Sequence, residues 1–183
     1  MIIAYHAIFT TYGIWLPSDP RGSYSKAIYN AELAELGEIR YGRQSPQPGR
    51  AQLQRFRAAA MQRLSRSAYH LNDDTRPVVA DAFARVVDRL QLCVPACAIM
   101  NDHVHVLVGR SKYTIEYLVN QLKGAATRTL ELDQTPWTKG CWKVFLNDED
   151  ALRAAEKYVI ANPEAAGLKP QQWGFTSPLP PNG

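Results

Sequence analysis

Four short segments of the chain combine apolar residues with β-branched and aromatic ones, a composition typical of strands. They are residues 3–11, 96–100, 103–109 and 141–146. The first is dense enough in such residues to predict a strand buried within a sheet. Pro95 separates the second from the helical pattern that precedes it. The strands of a small sheet are therefore spread over the whole length of the chain.

Three further segments repeat apolar residues at the three- and four-residue spacing of an amphipathic helix. The first begins at Thr75, which can cap it, and the second begins at Thr114. The third is predicted to begin in the acidic segment 147–150, because negative charge is favourable at a helix N-terminus. It is predicted to end at Asn162, because Pro163 disfavours helical geometry in the residue before it.

Residues 17–78 depart from this regular order. They open with Pro and Gly residues that break the chain, and they are predicted to hold a short helix near residues 30–38 and an arginine-rich helix over 51–68. Between these helices lies a stretch of Pro, Gly and Gln at 44–49. We interpret residues 17–78 as an insertion within one domain that spans residues 1–183.

Without the insertion, the predicted order is strand, helix, strand, strand, helix, strand, helix. An antiparallel sheet with helices on one face is the natural packing for this order. The predicted fold class is therefore α+β: a ferredoxin-like antiparallel sheet with helices on one face. This fold is extended in two places. A C-terminal helix carries a tyrosine, and a separate insertion is helical and rich in arginine.

Composition is typical of a globular protein, and it also indicates in which cellular compartment we expect the chain. Hydrophobic residues make up 46% and charged residues 21% of the 183 positions, which excludes a disordered, collagenous or coiled-coil chain. No run of about 18 apolar residues is present, so we expect no transmembrane helix. The N-terminus lacks a basic region followed by an apolar run, so we expect no secretory leader. The 3 cysteines are expected to be reduced thiols in a cytoplasm.

Positive charge is concentrated in one part of the chain. Residues 39–72 contain no acidic residue but seven arginines, and four of these are candidate nucleic-acid contacts: Arg55, Arg57, Arg63 and Arg66. A block of one sign repels itself unless a polyanion neutralises it, and nucleic acid is the commonest polyanion. The alternative is a solvated helix face. Lys123 and Arg128, on a later helix, could contact phosphate or simply face solvent.

The sharpest motif is the segment His103-Val104-His105 in the third predicted strand. Side chains alternate along a strand, so both imidazoles point to one face and form a ready pair of metal ligands. A third ligand would be needed. The alternative is two polar residues on the solvated face of a strand. Asp102 is expected to point away from both histidines, and His6 is interpreted as a core or hydrogen-bonding histidine of the same sheet.

In this context the chain resembles the HUH single-tyrosine transposases, and more narrowly the REP-associated tyrosine transposases and their relatives. The resemblance lies in Met100–Val108, Tyr117–Gly124 and Tyr158–Leu168, and in Trp137 and Trp142 near the last strand. With the first strand it covers roughly the first 16 and the last ~100 residues, whereas residues 17–78 match less well.

The resemblance implies cleavage and rejoining of single-stranded DNA. It implies that His103 and His105 hold Mg²⁺ or Mn²⁺, and that Tyr158 attacks the phosphorus to give a 5′-phosphotyrosine link and a free 3′-hydroxyl. Asn162 is a candidate third metal ligand, since it stands where relatives often carry Gln. From pattern alone, Tyr158 cannot be preferred to Tyr113 or Tyr117, nor distinguished from a core tyrosine.

The same resemblance implies the partners. We expect single-stranded DNA, which could form a hairpin, and a second copy of the chain in a homodimer. We expect no membrane partner and a location at the bacterial nucleoid. Two other functions stay open: a catalytically inactive, domesticated DNA-binding protein of the same fold, and a metal-dependent phosphoesterase that acts on RNA or a nucleotide. Two-histidine phosphoesterases would need a second His-x-Thr/Ser element, which the sequence lacks.

Overall fold

The computed structural model describes residues 1–23, 25–28 and 31–180, which form two compact units. The first, here called the sheet unit, consists of Met1–Thr10 and the chain from His70 onward. The second, here called the arginine-rich unit, is Thr11–Tyr69. Among the described residues, no helix has the length and apolar character needed to cross a membrane.

The sheet unit is built on four antiparallel strands: β1 (Ala4–Thr10), β2 (Cys97–Ile99), β3 (His103–Gly109) and β4 (Trp142–Leu146). Their order across the sheet is β2-β3-β1-β4, so β1 is paired on both sides. In the β1–β3 register, His6 lies opposite Leu107 and Ile8 opposite His105. The first strand of the sequence is thus the neighbour of the strand that carries the His-x-His motif.

Helices cover both faces of this sheet. On one face, α3 (Thr75–Leu90) and α4 (Ile115–Thr129) pack on each other and on the strands. There the Phe9 ring lies between Phe83 and Trp137, with centroid distances of 6.2 and 5.3 Å. On the other face, α5 (Glu149–Ala165) buries Val159 in a cluster with Leu107 and other apolar residues. The α+β fold class predicted from the sequence is confirmed.

Helix α5 continues through Pro163, so the predicted end at Asn162 is wrong. Its beginning is as expected, because the Asp148 side chain accepts a hydrogen bond of 2.8 Å from the Ala151 amide. Pro163 lies in the last turn, where its missing N–H removes only one intrahelical hydrogen bond. The helix then closes through the Ala166 amide, which donates to the Asn162 carbonyl at 3.1 Å. Asn162 therefore stays helical, one turn beyond the predicted nucleophile.

The arginine-rich unit holds two helices among its described residues, α1 (Ala31–Ala34) and α2 (Arg50–Met61). Both are shorter than the predicted helices near 30–38 and over 51–68, and residue 30 lies outside the described ranges. One close backbone approach shapes the unit: a Cβ on Gly22 would stand 1.8 Å from the Gly42 carbonyl oxygen, so only glycine fits there. The interpretation of residues 17–78 as an insertion stays a prediction.

Candidate active site

Strand β3 brings His103 and His105 together on the face that α5 covers. Their Nε2 atoms are 2.9 Å apart, and their ring centroids are separated by 4.7 Å. His105 is almost completely buried, with 4% of its surface exposed, whereas the His103 side chain keeps 25%. The two Nε2 atoms therefore converge on one point at the edge of the protein interior, as the strand alternation predicts.

The other nitrogen of His103 is held by Asp102. His103 Nδ1 donates to Asp102 Oδ1 at 2.5 Å, so the expectation that Asp102 points away from the histidines is wrong. Asp102 lies in the bend before β3, where strand alternation does not apply. The bend is itself held, because the buried Arg76 guanidinium donates to Asn101 Oδ1 at 2.6 Å. The hydrogen bond from His103 Nδ1 to Asp102 fixes the His103 tautomer in which Nε2 carries no proton.

The other nitrogen of His105 contacts His6 on the neighbouring strand. His6 Nε2 lies 2.9 Å from His105 Nδ1, and His6 is also buried, with 7% of its surface exposed. The sequence interpretation of His6 as a hydrogen-bonding histidine identifies its type of contact but not its partner. Only the pairing register of β1 with β3 reveals that partner, and the register cannot be obtained from the local pattern.

Burial keeps the inner histidines of this group neutral. Loss of solvent, together with the neighbouring His103 and His6, lowers the pKa of His105 to about 3, while Asp102 opposes this shift. Burial alone lowers the pKa of His6 to about 4. Both rings are therefore uncharged near neutral pH. A neutral imidazole keeps one nitrogen lone pair, which is what a metal ion requires.

Helix α5 places Tyr158 against these histidines in the same chain. The Tyr158 ring centroid lies 5.6 Å from that of His105 and 6.2 Å from that of His6. Tyr158 is nevertheless 55% exposed, so its phenol is accessible from solvent. The competing candidates, Tyr113 and Tyr117, stack on each other at 5.1 Å around the start of α4. Since α4 packs on the opposite face of the sheet, the fold brings only Tyr158 of these three to the histidine pair.

Asn162 has an unsatisfied polar atom in this region. Its Nδ2 is buried and has no hydrogen-bond partner within the described ranges. Rotation of the amide group by half a turn exchanges Nδ2 and Oδ1, so the same buried position can present a carbonyl oxygen. In the part of the chain that the structure describes, no three His, Cys, Asp or Glu side chains form a metal cluster. The Asn162 amide is a candidate ligand group of another type, and it lies one turn after Tyr158 on α5.

The four predicted arginine contacts differ in their surroundings. Arg55 and Arg57 are exposed on α2. Arg63 Nε pairs with Glu35 Oε2 at 3.2 Å, and Arg66 stacks on the Tyr12 ring at 4.1 Å from its centroid. Two of the four therefore have intramolecular partners within the arginine-rich unit. The exposed pair is the freer to reach a polyanion.

The prediction that Lys123 contacts nucleic acid is wrong. Lys123 is only 7% exposed, and its ammonium donates to the carbonyl oxygens of Thr138, at 2.9 Å, and Gly140. It also lies over the Phe9 ring, and burial lowers its pKa to about 8. This lysine anchors the segment before β4 rather than facing phosphate. Arg128, by contrast, is exposed at the end of α4 and remains a candidate contact.

Comparison with known proteins yields one family and, among solved structures, two similar transposase structures. The sequence profile of a family described as "Transposase IS200 like" matches residues 60–157, more than half of the chain. No curated protein matches this chain. Among solved structures, the chain is similar to a REP-associated tyrosine transposase bound to a REP hairpin, with 9% identity and a TM-score of 0.51 over 91% of this chain and 70% of that one. It is also similar to a candidate transposase from Deinococcus radiodurans R1, with 17% identity and a TM-score of 0.44 over 88% and 91% of the two chains.

Proposed function

We propose that the chain, which belongs to the family of IS200-like transposases, is a metal-dependent endonuclease and strand transferase for single-stranded DNA. Family membership confirms the resemblance described from the sequence and makes processing of DNA the expected activity. The single observation that carries the finer proposal is the position of Tyr158. An exposed phenol stands beside the buried His105, whose Nε2 converges with that of His103.

The residues present fit a divalent cation. His103 and His105 would hold it through Nε2, because Asp102 and His6 occupy the two Nδ1 atoms. Asn162, with its unsatisfied buried amide, is the proposed third ligand. We propose Mg²⁺ or Mn²⁺, which also accept oxygen ligands from phosphate and water. When bound, the cation neutralises charge on the scissile phosphate and on the leaving oxygen.

Tyr158 is the proposed nucleophile of a transesterification. Its Oη loses a proton and forms a bond to phosphorus, while the bond from phosphorus to the 3′-oxygen breaks and that oxygen gains a proton. The products are a 5′-phosphotyrosine and a free 3′-hydroxyl. A phenol has an ordinary pKa near 10, so it is a modest nucleophile and a good leaving group in the reverse step. Attack by a second 3′-hydroxyl rejoins DNA and frees Tyr158.

The arginine-rich unit and Arg128 are the proposed contacts to the DNA backbone. Exposed arginines neutralise phosphates without reading sequence. The similar transposase structure holds a REP hairpin, and we propose that this chain also acts on single-stranded DNA able to form a hairpin. We further propose a homodimer that acts at the bacterial nucleoid. Because Tyr158 lies beside the histidines of its own chain, we propose that each chain of this dimer supplies its own complete site.

The proposal is tested with single-stranded DNA labelled at its 3′ end, because the phosphotyrosine link joins the protein to the downstream fragment. The wild-type protein with Mn²⁺ should give a labelled covalent adduct on a denaturing gel, and chelator should abolish it. Tyr158→Phe should remove the adduct, whereas the matched control Tyr117→Phe, also at an exposed tyrosine, should keep it. Binding without an adduct would instead support the inactive DNA-binding protein, and hydrolysis without an adduct would support a phosphoesterase.

A further inference from the structure

His6 is joined to the histidine pair through the His105 nitrogen that does not face His103. His6 Nε2 lies 2.9 Å from His105 Nδ1, while His105 Nε2 lies 2.9 Å from His103 Nε2. We propose that His6 is a positioning residue, which accepts a hydrogen bond from His105 Nδ1 and so keeps His105 Nε2 free of a proton for a metal ion. This inference rests on the proposed function, because it requires His105 to bind that ion.

A partner on Nδ1 matters because a neutral imidazole carries one proton that can sit on either nitrogen. If the proton sits on Nε2, that atom has no lone pair to offer a cation. His103 avoids this state because the Asp102 carboxylate can only accept a hydrogen bond from its Nδ1. His105 contacts another imidazole at this position instead of a carboxylate. Its tautomer therefore depends on the tautomer of His6.

The hydrogen-bond chain from Asp102 to His6 has two consistent proton arrangements. In the first, His105 carries its proton on Nε2, between the two ligand nitrogens, and accepts a hydrogen bond from His6 Nε2. In the second, His105 carries it on Nδ1 and donates to His6 Nε2, whose own proton moves to its Nδ1. Only the second leaves both ligand nitrogens open. Each ring keeps one proton in both arrangements, so the exchange changes no net charge.

Burial hinders water from replacing His6 as the hydrogen-bond partner of His105. His6 and His105 are exposed to only 7% and 4%, so water has little access to the contact between them. A side chain without an acceptor at position 6 would leave the buried His105 Nδ1–H unsatisfied in the tautomer that can bind a cation, which disfavours that tautomer. The proton would then favour Nε2, where it blocks the metal ion.

The test compares two variants that differ in their ability to accept a hydrogen bond. His6→Leu removes the acceptor, and His6→Gln retains one in its amide oxygen. The matched control is His70→Gln, at an exposed histidine. Mn²⁺ affinity is measured by the resonance signal of free Mn²⁺, and folding by circular dichroism. We expect His6→Leu to weaken Mn²⁺ binding by about 10- to 100-fold, the usual loss when a ligand's hydrogen-bond partner is removed. The Mn²⁺ affinities of His6→Gln and of the control should stay within about a few-fold of the wild-type value.

A second measurement on the wild type keeps the inference decidable if His6→Leu does not fold. Ring nitrogen correlations in ¹⁵N-labelled protein, loaded with diamagnetic Zn²⁺, should show the His105 proton on Nδ1. A His105 without that proton, or a folded His6→Leu with unchanged Mn²⁺ affinity, would overturn the inference and leave the nuclease proposal standing. Conversely, normal cation binding and a protonated Nδ1 without any DNA adduct would overturn the proposed function alone.

Discussion

The rings of Tyr158 and His105 lie 5.6 Å apart between centroids and almost perpendicular, at 85°, although α5 and β3 are separated in the chain by α4 and β4. Both residues belong to the sheet unit of one chain. The proposed nucleophile and the proposed ligand pair therefore lie together within one chain, which supports action in cis. The sequence leaves two arrangements open, a tyrosine that serves its own histidines and one that serves a second subunit, and this contact favours the first.

Complementation between inactive variants tests the cis arrangement. His103→Ala and Tyr158→Phe should each be unable to form the DNA adduct, and a mixture of the two proteins should remain inactive. In cis, no protomer of a mixed dimer holds both an intact histidine pair and Tyr158. The measurement is adduct yield after the two proteins are denatured and refolded together. Recovery toward about a quarter of the wild-type yield would show that the tyrosine acts in trans, because half of the randomly reassembled dimers are mixed and each would hold one working site of two.

Lys123 and Arg128 should separate structural from DNA-binding roles within one helix. Lys123→Met keeps the aliphatic stem but leaves the carbonyl oxygens of Thr138 and Gly140 without their donor. We expect a loss of about 1–3 kcal/mol in the free energy of unfolding, measured with urea, as for other buried groups left unsatisfied. Arg128→Gln should leave stability within about 0.5 kcal/mol of wild type, as for exposed positions.

DNA binding should show the opposite ranking. Arg128→Gln is expected to flatten the dependence of log affinity on log salt, whereas Lys123→Met, measured well below its unfolding midpoint, should keep the wild-type slope. If Lys123→Met changed the slope without any loss of stability, the buried anchoring role would be wrong.

Lys123 also shows a limit of prediction from the local sequence. The helix that begins at Thr114 was predicted correctly from its apolar stripe, and Lys123 lies four residues after Val119 and three before Ala126, on that same stripe. This spacing was a signal that the lysine faces inward. Its residue type favours the surface, but the carbonyl oxygens of Thr138 and Gly140, before β4, accept hydrogen bonds from the ammonium inside the protein. Such partners come from a distant segment and cannot be predicted from local periodicity.

Some features of the candidate site can likewise be predicted from the local sequence, whereas others depend on long-range contacts. The alternation of β3 was enough to place His103 and His105 on one face, and Asp148 was enough to start α5. The contacts of His6 and Tyr158 depend on strand register and on how α5 crosses the sheet. For Tyr158 the family resemblance pointed to a residue that periodicity alone could not select.

Acid should destabilise the metal-free protein over a defined range. The folded pKa values of His105 and His6 are lowered to about 3 and about 4, below the ordinary value of 6.5. Between those values the unfolded chain binds more protons than the folded one, so stability rises with pH. We therefore expect full stability above pH 6.5 and a loss on the order of a few kcal/mol as pH falls toward 4.

Urea unfolding at a series of pH values, in the presence of chelator, measures this loss. His6→Gln removes one of the two buried histidines and should reduce the slope between about pH 6.5 and 4. His70→Gln, at an exposed position, should leave the slope unchanged. Stability that is flat across this range would contradict the burial of neutral histidines at the site.

Arg55 and Arg57 should dominate the salt dependence of DNA binding among the four predicted arginines. Both are exposed on α2, whereas Arg63 pairs with Glu35 and Arg66 stacks on Tyr12. An arginine that already has a partner must break that contact before it neutralises a phosphate. Each phosphate contact to a single strand contributes about 0.7 to the slope of log affinity against log salt. We therefore expect Arg55→Gln with Arg57→Gln to reduce the slope by about 1.4, and Arg63→Gln with Arg66→Gln to reduce it by less than about 0.7.

Fluorescence anisotropy of labelled single-stranded DNA over a range of salt concentrations measures these slopes. The matched control is Arg153→Gln, an exposed arginine on α5 that pairs with Glu149 and Asp150, and it should keep the wild-type slope. The Arg55 and Arg57 variant should weaken binding to all sequences alike, because phosphate contacts fix position without reading bases. It should still form the Tyr158 adduct when DNA is in excess, since the chemistry lies in the sheet unit. An unchanged slope would mean that α2 is a solvated face, and Arg128 would then be the first place to look for the DNA-binding surface.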